Sequence, residues 1–302
     1  MIKHLLTLWD FSRDQLLSYV DLARQMKADN DRWRHTLAGR TVALLFDKPS
    51  TRTRVSFEAA MYRLGGRVIF LPNRESQLSR SEPLKDAARV MSRYVDGMVV
   101  RTFGQGIVEE LASFATVPVV NALTDLHHPC QVLSDIMTVF EHKGSLDSLK
   151  IAWVGDGNNM ANSWIHAAGR LGFELVLACP EGYDPDPRIL QEAQSAGRGS
   201  ITVVRDPLAA AKNADVINTD VWASMGQEQE HAARLKVFIP YQVNDRLMAQ
   251  AKPDAIVLHC LPAHRGEEIT DEVLEGGRSV VFDQAENKLH IHQAILATHL
   301  GQ

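Results

Sequence analysis

Cysteine is scarce in this sequence, and the scarcity excludes whole classes of function. Cys130, Cys179 and Cys260 are the only cysteines in 302 residues, and no CxxC spacing occurs, which removes cysteine-built zinc sites and dithiol redox chemistry. Isolated thiols of this kind suit a reducing compartment. Long apolar runs are missing as well. In the opening MIKHLLTLWDFSRDQLLSYV, Asp10, Arg13 and Asp14 interrupt the apolar residues before a membrane span or secretory core can form, so we read it as a mature cytoplasmic N-terminus. There is no excess of positive charge either. Lys plus Arg total 32 against 37 Asp plus Glu, a net −5, so no general attraction to nucleic acid or an anionic membrane is expected. The nucleotide signatures are incomplete. G-x-x-x-x-G-K-[ST] does not occur, and VGDGNNMANS has Met160 where the third glycine of G-x-G-x-x-G would stand. Both P-loop and dinucleotide readings fall away.

What is present is ample core material. A 45% hydrophobic content over 302 residues supports two domains of ordinary size. The first helix is expected over about residues 12–28, with Ser12 as N-cap. Short apolar runs then recur at 41–46, 67–71, 96–101 and 118–122. Each gives way to polar or helical sequence, the rhythm of a parallel sheet flanked by helices. A connecting helix is expected within 131–149. A second series of apolar runs follows: KIAWVGDG, FELVLACP, ITVV, ADVINTD, KVFIP, AIVLHC and SVVFDQ. The fold class expected is therefore α/β, with two domains, each a central parallel sheet flanked by helices, joined by interdomain helices. The domains run 1–130 and 150–284, and residues 285–302 form a C-terminal helix returning to the first.

Ligands bind beyond the carboxyl ends of parallel strands, so the polar segments just after the apolar runs carry the functional signal. FDKPSTRTRVSFEAA crowds Ser50, Thr51, Arg52, Thr53 and Arg54 between a strand and a helix. First-turn amides and the helix dipole favour a phosphate there, and an arginine fork can grip its oxygens. The bland alternative is a capped helix whose arginines bind surface carboxylates. Arg101 follows GMVV at a strand end, where it either supplies charge to an anion or pairs with a nearby acid. LHHPCQ offers His127, His128 and Gln131 as groups for a carbonyl and its NH2, or as ordinary loop residues. Asn158 and Asn159 suit a polar substrate or simple helix capping. Asp220 can hold a substrate ammonium, with Ser224 orienting the rest, while Trp222 and Met225 can simply pack the loop. HCLPAHRGEEI places Cys260 at a strand end before Leu261 and Pro262, whose peptide bond is a candidate for the cis form. Cys260 reads as a thiolate nucleophile with His264 beside it, or as a buried thiol.

Together STRTR at 50–54, HPCQ at 128–131, DGNN at 156–159, DVWASMGQE at 220–228 and HCLPAHRGEE at 259–268 resemble the ornithine branch of the aspartate/ornithine carbamoyltransferase family. The resemblance runs along the whole chain in the family's order. It implies a carbamoyl phosphate-binding first domain and an L-ornithine-binding second domain. It also implies transfer of the carbamoyl group to the δ-amine of L-ornithine within arginine metabolism, giving L-citrulline and phosphate. By resemblance, Ser50, Thr51, Arg52, Thr53, Gln77, Arg101, His128, Gln131, Cys260 and Leu261 bind carbamoyl phosphate. Arg52, Arg101, His128 and Cys260 take catalytic parts, and Asn159, Asp220, Ser224 and Met225 bind ornithine. Gln77 matches a position that reaches a neighbouring subunit's site, which implies a homotrimer or an assembly of trimers. No metal or organic cofactor is implied, because carbamoyl phosphate is already activated; no nucleic acid or membrane partner is implied. Lys288 joins the carbamoyl phosphate-binding set by resemblance but is a departure, because in AENKLH it stands where many ornithine enzymes have arginine. Lysine keeps the charge but not the two-point fork. The alternatives are carbamoyl transfer to a related amine and a non-catalytic phosphate- or amino-acid-binding regulator.

Overall fold

A computed structural model describes residues 4–72, 82–223 and 231–301. Two compact units emerge, one formed by residues 1–137 and 286–302, the other by residues 138–285. The sequence alternates as expected between continuous apolar strands and amphipathic helices.

In the first unit, α1 (Arg13–Ala28) opens with a reciprocal cap. Ser12 Oγ accepts from Gln15 N, and Gln15 Oε1 accepts from Ser12 N, satisfying two first-turn donors. The sheet follows, as β1 (Thr41–Phe46), β2 (Arg67–Pro72), β3 (Gly97–Arg101) and β4 (Val119–Leu123), interleaved with α2 (Thr51–Arg63), α3 (Leu84–Met91) and α4 (Gln105–Phe114). All pairings are parallel in the order β2-β1-β3-β4. Every residue of β3 is buried, as a strand covered on both faces requires. The core on one face gathers Ala43, Leu45, Met98, Val100, Val108 and Leu111.

The second unit holds β5 (Lys150–Val154), β6 (Glu174–Ala178), β7 (Ile201–Val204), β8 (Val216–Thr219) and β9 (Ile256–His259) in the parallel order β7-β6-β5-β8-β9. The helices after α4 are α5 (Pro129–Lys143), α6 (Asn159–Leu171), α7 (Pro187–Ser195), α8 (Pro207–Ala211), α9 (His231–Phe238), α10 (Asp245–Met248), α11 (Asp271–Leu274) and α12 (Val281–Leu300). The division between units falls within α5 and α12. In the first unit, the end of α12 packs against the start of the chain, where Tyr19 Oη lies 2.8 Å from His299 Nε2. Among the described residues no helix is long and apolar enough to cross a membrane.

Two apolar runs expected as strands are helical. KVFIP ends α9 and enters a 3-10 turn at Ile239–Tyr241. Pro240 could not donate to a ladder, and Arg234 and Phe238 bury one face at the i, i+4 spacing of a helix. SVVFDQ touches the sheet only as the isolated bridge Val257↔Ser279 and then starts α12 at Val281. Its last four residues continue into the helical pattern of AENKLHIHQAIL rather than ending at a turn.

Candidate active site

Both sheets reverse their direction of growth once, and a ligand crevice is expected at that switch. In the first unit the switch lies between β1 and β3, where Phe46 pairs with Arg101. The loop after β1 begins with Asp47, whose N–H donates to Arg101 O at 2.8 Å and whose carboxylate accepts from Thr102 Oγ1. These contacts tie the two strand ends together. Ser50 is the N-cap of α2 and its Oγ accepts from Thr53 N at 3.3 Å. Thr51 and Arg52 are exposed on the first turn, whereas Thr53 is buried. Arg54 turns to local work. Its Nε donates to Glu58 at 2.8 Å, and its guanidinium lies 3.7 Å from the centre of the Phe70 ring.

Arg101, His128, Gln131 and Lys288 are all buried in this unit. His128 directly precedes α5, Gln131 lies in its first turn, and Lys288 comes from α12. Lys288 Nζ donates to Gln131 Oε1 at 2.9 Å, and Gln131 Nε2 donates to Asp135 Oδ1 at 2.9 Å. The amide of Gln131 is therefore fixed at both ends. Burial holds the His128 imidazole well below its ordinary value, and the positive charges of Lys288 and then Arg101, followed by His292, push the same way. The ring is neutral, so it offers a hydrogen bond rather than a charge. His292 shares the environment, with Nδ1 2.9 Å from Ser56 Oγ and its ring stacked on Phe57. Sequence reasoning did not single out Lys48. It is buried, pairs with Asp125 and lies over the Phe103 ring.

In the second unit the switch lies between β5 and β8. The loop after β5 contains Gly157, whose N–H donates to Tyr183 O at 2.9 Å. A Cβ there would stand 2.2 Å from Pro185 N and 2.3 Å from Asp184 C, so close backbone approach explains this glycine without any dinucleotide. Asn158 caps α6, its Oδ1 accepting from Met160 N and Ala161 N, while its Nδ2 donates to Asp220 Oδ2 at 3.1 Å. Asn159 is the first residue of α6 and partly exposed. Asp220 follows β8. Its Oδ1 accepts from Val221 N at 2.8 Å and from the Cys260 thiol at 3.0 Å. This carboxylate gathers the loops after β5, β8 and β9 at one point.

Neighbouring groups brace those loops. Arg234 Nη1 donates to Asp156 Oδ2 and to Trp222 O, each at 2.8 Å. Burial raises the Asp156 carboxyl above its ordinary range, Arg234 opposes that, and the charge of Asp220 adds to the rise. Trp222 packs the loop, stacked on Phe238. After β9, His259 Nε2 meets Glu268 Oε1 at 2.9 Å, and His259 Nδ1 accepts from Leu261 N at 2.9 Å. Leu261 has φ 56°, a left-handed conformation that costs a branched residue and concentrates at functional sites. The Leu261–Pro262 peptide is cis. Glu268 went unnoticed in the sequence, although the second acid of the HCLPAHRGEE stretch was its only signal.

The structure thus gathers Ser50, Thr51, Arg52, Thr53, Arg101, His128, Gln131 and Lys288 in one unit. Asn159, Asp220, Cys260 and Leu261 belong to the other. Gln77, Ser224 and Met225 lie outside the described residues.

Comparison with known proteins also splits the chain between α5 and β5, with the second match running on through Lys288 and most of α12. The family model for the aspartate/ornithine carbamoyltransferase carbamoyl-P binding domain matches residues 3–141, and that for the Asp/Orn binding domain matches residues 147–299. The chain is 66% identical, over 100% of both sequences, to an ornithine carbamoyltransferase of Desulfotalea psychrophila. It is 55% identical to that of Geobacter metallireducens, covering 99% of this chain and 100% of the relative. Among solved structures, the ornithine carbamoyltransferase from Pyrococcus furiosus superposes with a TM-score of 0.94 at 48% identity, covering 99% of this chain and 97% of that one.

Proposed function

The chain belongs to the aspartate/ornithine carbamoyltransferase family, and on that premise we propose how its residues divide the reaction. The enzyme transfers the carbamoyl group of carbamoyl phosphate to ornithine. The neutral δ-amine of L-ornithine attacks the carbamoyl carbon, a tetrahedral intermediate collapses, and phosphate leaves L-citrulline behind.

Ser50, Thr51, Arg52 and Thr53 hold the phosphate against the first turn of α2, joined by Arg101. Charge grows on the carbonyl oxygen as the amine attacks and passes to the phosphate as the bond to it breaks, and Arg52, Arg101 and Thr53 stabilise it. His128, being neutral, donates a hydrogen bond to the carbonyl oxygen without competing for the phosphate. Gln131 orients the carbamoyl group. Its amide uses one N–H on Asp135 and one lone pair on Lys288, and the remaining N–H and lone pair match a carbonyl and an NH2. Lys288 thus acts through Gln131, which accounts for a lysine where the resemblance places an arginine.

Asn159 and Asp220 receive ornithine, with Ser224 and Met225. Asp220 orients the α-ammonium, and Cys260, donating to the same carboxylate, places its sulfur toward the δ-amine and helps position it, while the proton the amine loses departs with the phosphate as hydrogen phosphate. No covalent carbamoyl-cysteine is needed. Holding both substrates in register supplies about 7–11 kcal/mol of the barrier reduction.

The observation carrying this reading is the convergence of Asn158 and Cys260 on the Asp220 carboxylate beside a sheet switch. A protein that only bound phosphate would have no use for it. Supplying carbamoyl phosphate with L-ornithine, N-acetylornithine, putrescine or aspartate separately, and measuring ureido product, tests the acceptor. Product from another amine and none from ornithine would sink the assignment; no product at all would favour a silent regulator.

The same proposal includes a homotrimer, or an assembly of trimers, in which Gln77 completes a neighbour's site. Val55, Tyr62, Ile69 and Tyr94 of the first unit are exposed in the single chain, large apolar side chains of the kind that copies cover. Native mass measurement checks the stoichiometry. The scarcity and isolation of Cys130, Cys179 and Cys260 in the sequence support a cytoplasmic location, and cell fractionation checks it.

A further inference from the structure

Two clusters of metal-ligating side chains stand out among the described residues, Asp220 with His259 and Cys260, and His231 with His264 and Glu267. The first belongs to the ornithine-binding groups, and its imidazole is already committed. His259 Nε2 faces Glu268 and its Nδ1 accepts from Leu261 N. The second cluster has no part in the reaction described above.

We propose that His231, His264 and Glu267 form a binding site for a divalent transition-metal ion, with zinc the best match. Two imidazoles and one carboxylate are the donor set of a three-ligand zinc site whose fourth position takes water. His231 Nε2 lies 3.0 Å and His264 Nδ1 3.6 Å from Glu267 Oε2, and the three ligand atoms all fall within 4.8 Å of one another. Zinc–ligand bonds near 2.0–2.2 Å in a tetrahedron put donor atoms about 3.4 Å apart. The two measured separations bracket that value, so small side-chain movements suffice. Each neutral ring then gives one lone pair to the ion and keeps its proton on the other nitrogen.

The site is built on a pinned turn. Glu267 N donates to His264 O, Gly266 N donates to Ile269 O, and Gln242 Nε2 donates to both Gly266 O and Glu267 O. His264 N is held by Glu268 Oε1 at 2.6 Å. Two ligands therefore need little ordering on binding, and the third, His231, is the first residue of α9. The three side chains are partly exposed, between 29% and 45%, which leaves an ion access. Arg265, the nearest cation in sequence, is paired with Asp271 and Glu275, so its charge is offset. A bound ion would fasten the start of α9, which follows the Ser224–Met225 stretch in sequence, to the turn that follows Cys260 and Leu261. The proposal does not depend on the carbamoyl-transfer reading.

Cobalt(II) is the probe, because its spectrum separates the two clusters. Chelator-treated, intact protein is titrated with cobalt and then with zinc in competition. One equivalent should bind with visible d–d bands and no intense thiolate charge-transfer band, and zinc should displace it. H231Q and H264Q should each weaken cobalt binding by at least about tenfold, while C260S leaves it unchanged. Circular dichroism confirms that the variants are folded, which partly exposed ligands allow. The proposal is overturned by absence of saturable binding at millimolar cobalt, by binding that survives both histidine variants, or by a thiolate band that disappears in C260S.

Discussion

Replacing Arg52 and Arg54 separately by alanine should produce opposite results from two neighbouring arginines. Arg54 is engaged within its own unit. Its pair with Glu58 spans 2.8 Å with side chains 45% and 23% exposed, and such a solvent-screened i, i+4 pair contributes about 0.3–0.5 kcal/mol. The stack on Phe70 at 3.7 Å adds about 0.5–1 kcal/mol at a partly exposed site. R54A should therefore lose about 1 kcal/mol of stability, lowering the melting temperature of a unit this size by about 2–4 °C, with kcat/KM for carbamoyl phosphate little changed. Arg52 has an exposed side chain on the first turn. R52A should melt like the parent. Losing a preorganised donor to the developing charge should cost about 2.7–4 kcal/mol in the transition state, a fall of about 100- to 1,000-fold in kcat. Steady-state kinetics at saturating ornithine, beside thermal melts of both variants, make the comparison. Unchanged kinetics in R52A, or a catalytic collapse in a stable R54A, would refute the assignment of the phosphate to Ser50, Thr51, Arg52 and Thr53.

Other outcomes follow from the same geometry. D220N should lower kcat/KM for ornithine by about 10- to 100-fold, the cost of losing hydrogen bonds to a charged acceptor. Binding of inorganic phosphate, read by calorimetry, should be unaffected. Acidification should destabilise the first unit. His128 and His292 are both held well below the ordinary histidine value, by burial first, so below about pH 6.5 the unfolded chain takes up protons that the folded one refuses. Stability is complete above that pH, and each ring removes up to about 1.4 kcal/mol per pH unit below it. H292Q should shrink the difference between melts at about pH 7.5 and about pH 5.5, and a parent that melts identically at both would contradict the buried neutral rings. R234A should destabilise the second unit by about 3–5 kcal/mol in urea unfolding, because it strands Asp156 with its side chain only 12% exposed. The loss should narrow at low pH, where Asp156 takes a proton.

The sheets were legible because parallel strands covered on both faces are written as near-continuous apolar runs. GMVVR and KIAWV could be read directly. KVFIP and SVVFDQ were misread because a short apolar run does not by itself distinguish strand from helix; Pro240 in the first and the helical continuation of the second carry the distinction. Ser50 as N-cap and the polar residues at strand ends were legible for the same local reason. Pairings across long stretches of chain were not. Lys288 meets Gln131 from 157 positions away, and Arg234 meets Asp156 from 78, so neither partner could be named before the fold. Gly157 shows the converse. Its residue type was visible, but the reason for it, the crowded backbone at Asp184 and Pro185, is purely tertiary.

The loops at the β5–β8 switch, together with the one after β9, have an evolutionary consequence. Every described residue assigned to the amine lies on them or on the helix residue that directly follows, and none of those at the β1–β3 switch does. A lineage could therefore exchange one nucleophile for another by rewriting three short loops, while the phosphate grip proposed for Ser50 to Thr53 and Arg101 is inherited untouched. Substrate range in such a chain would drift on one side of the reaction at a time.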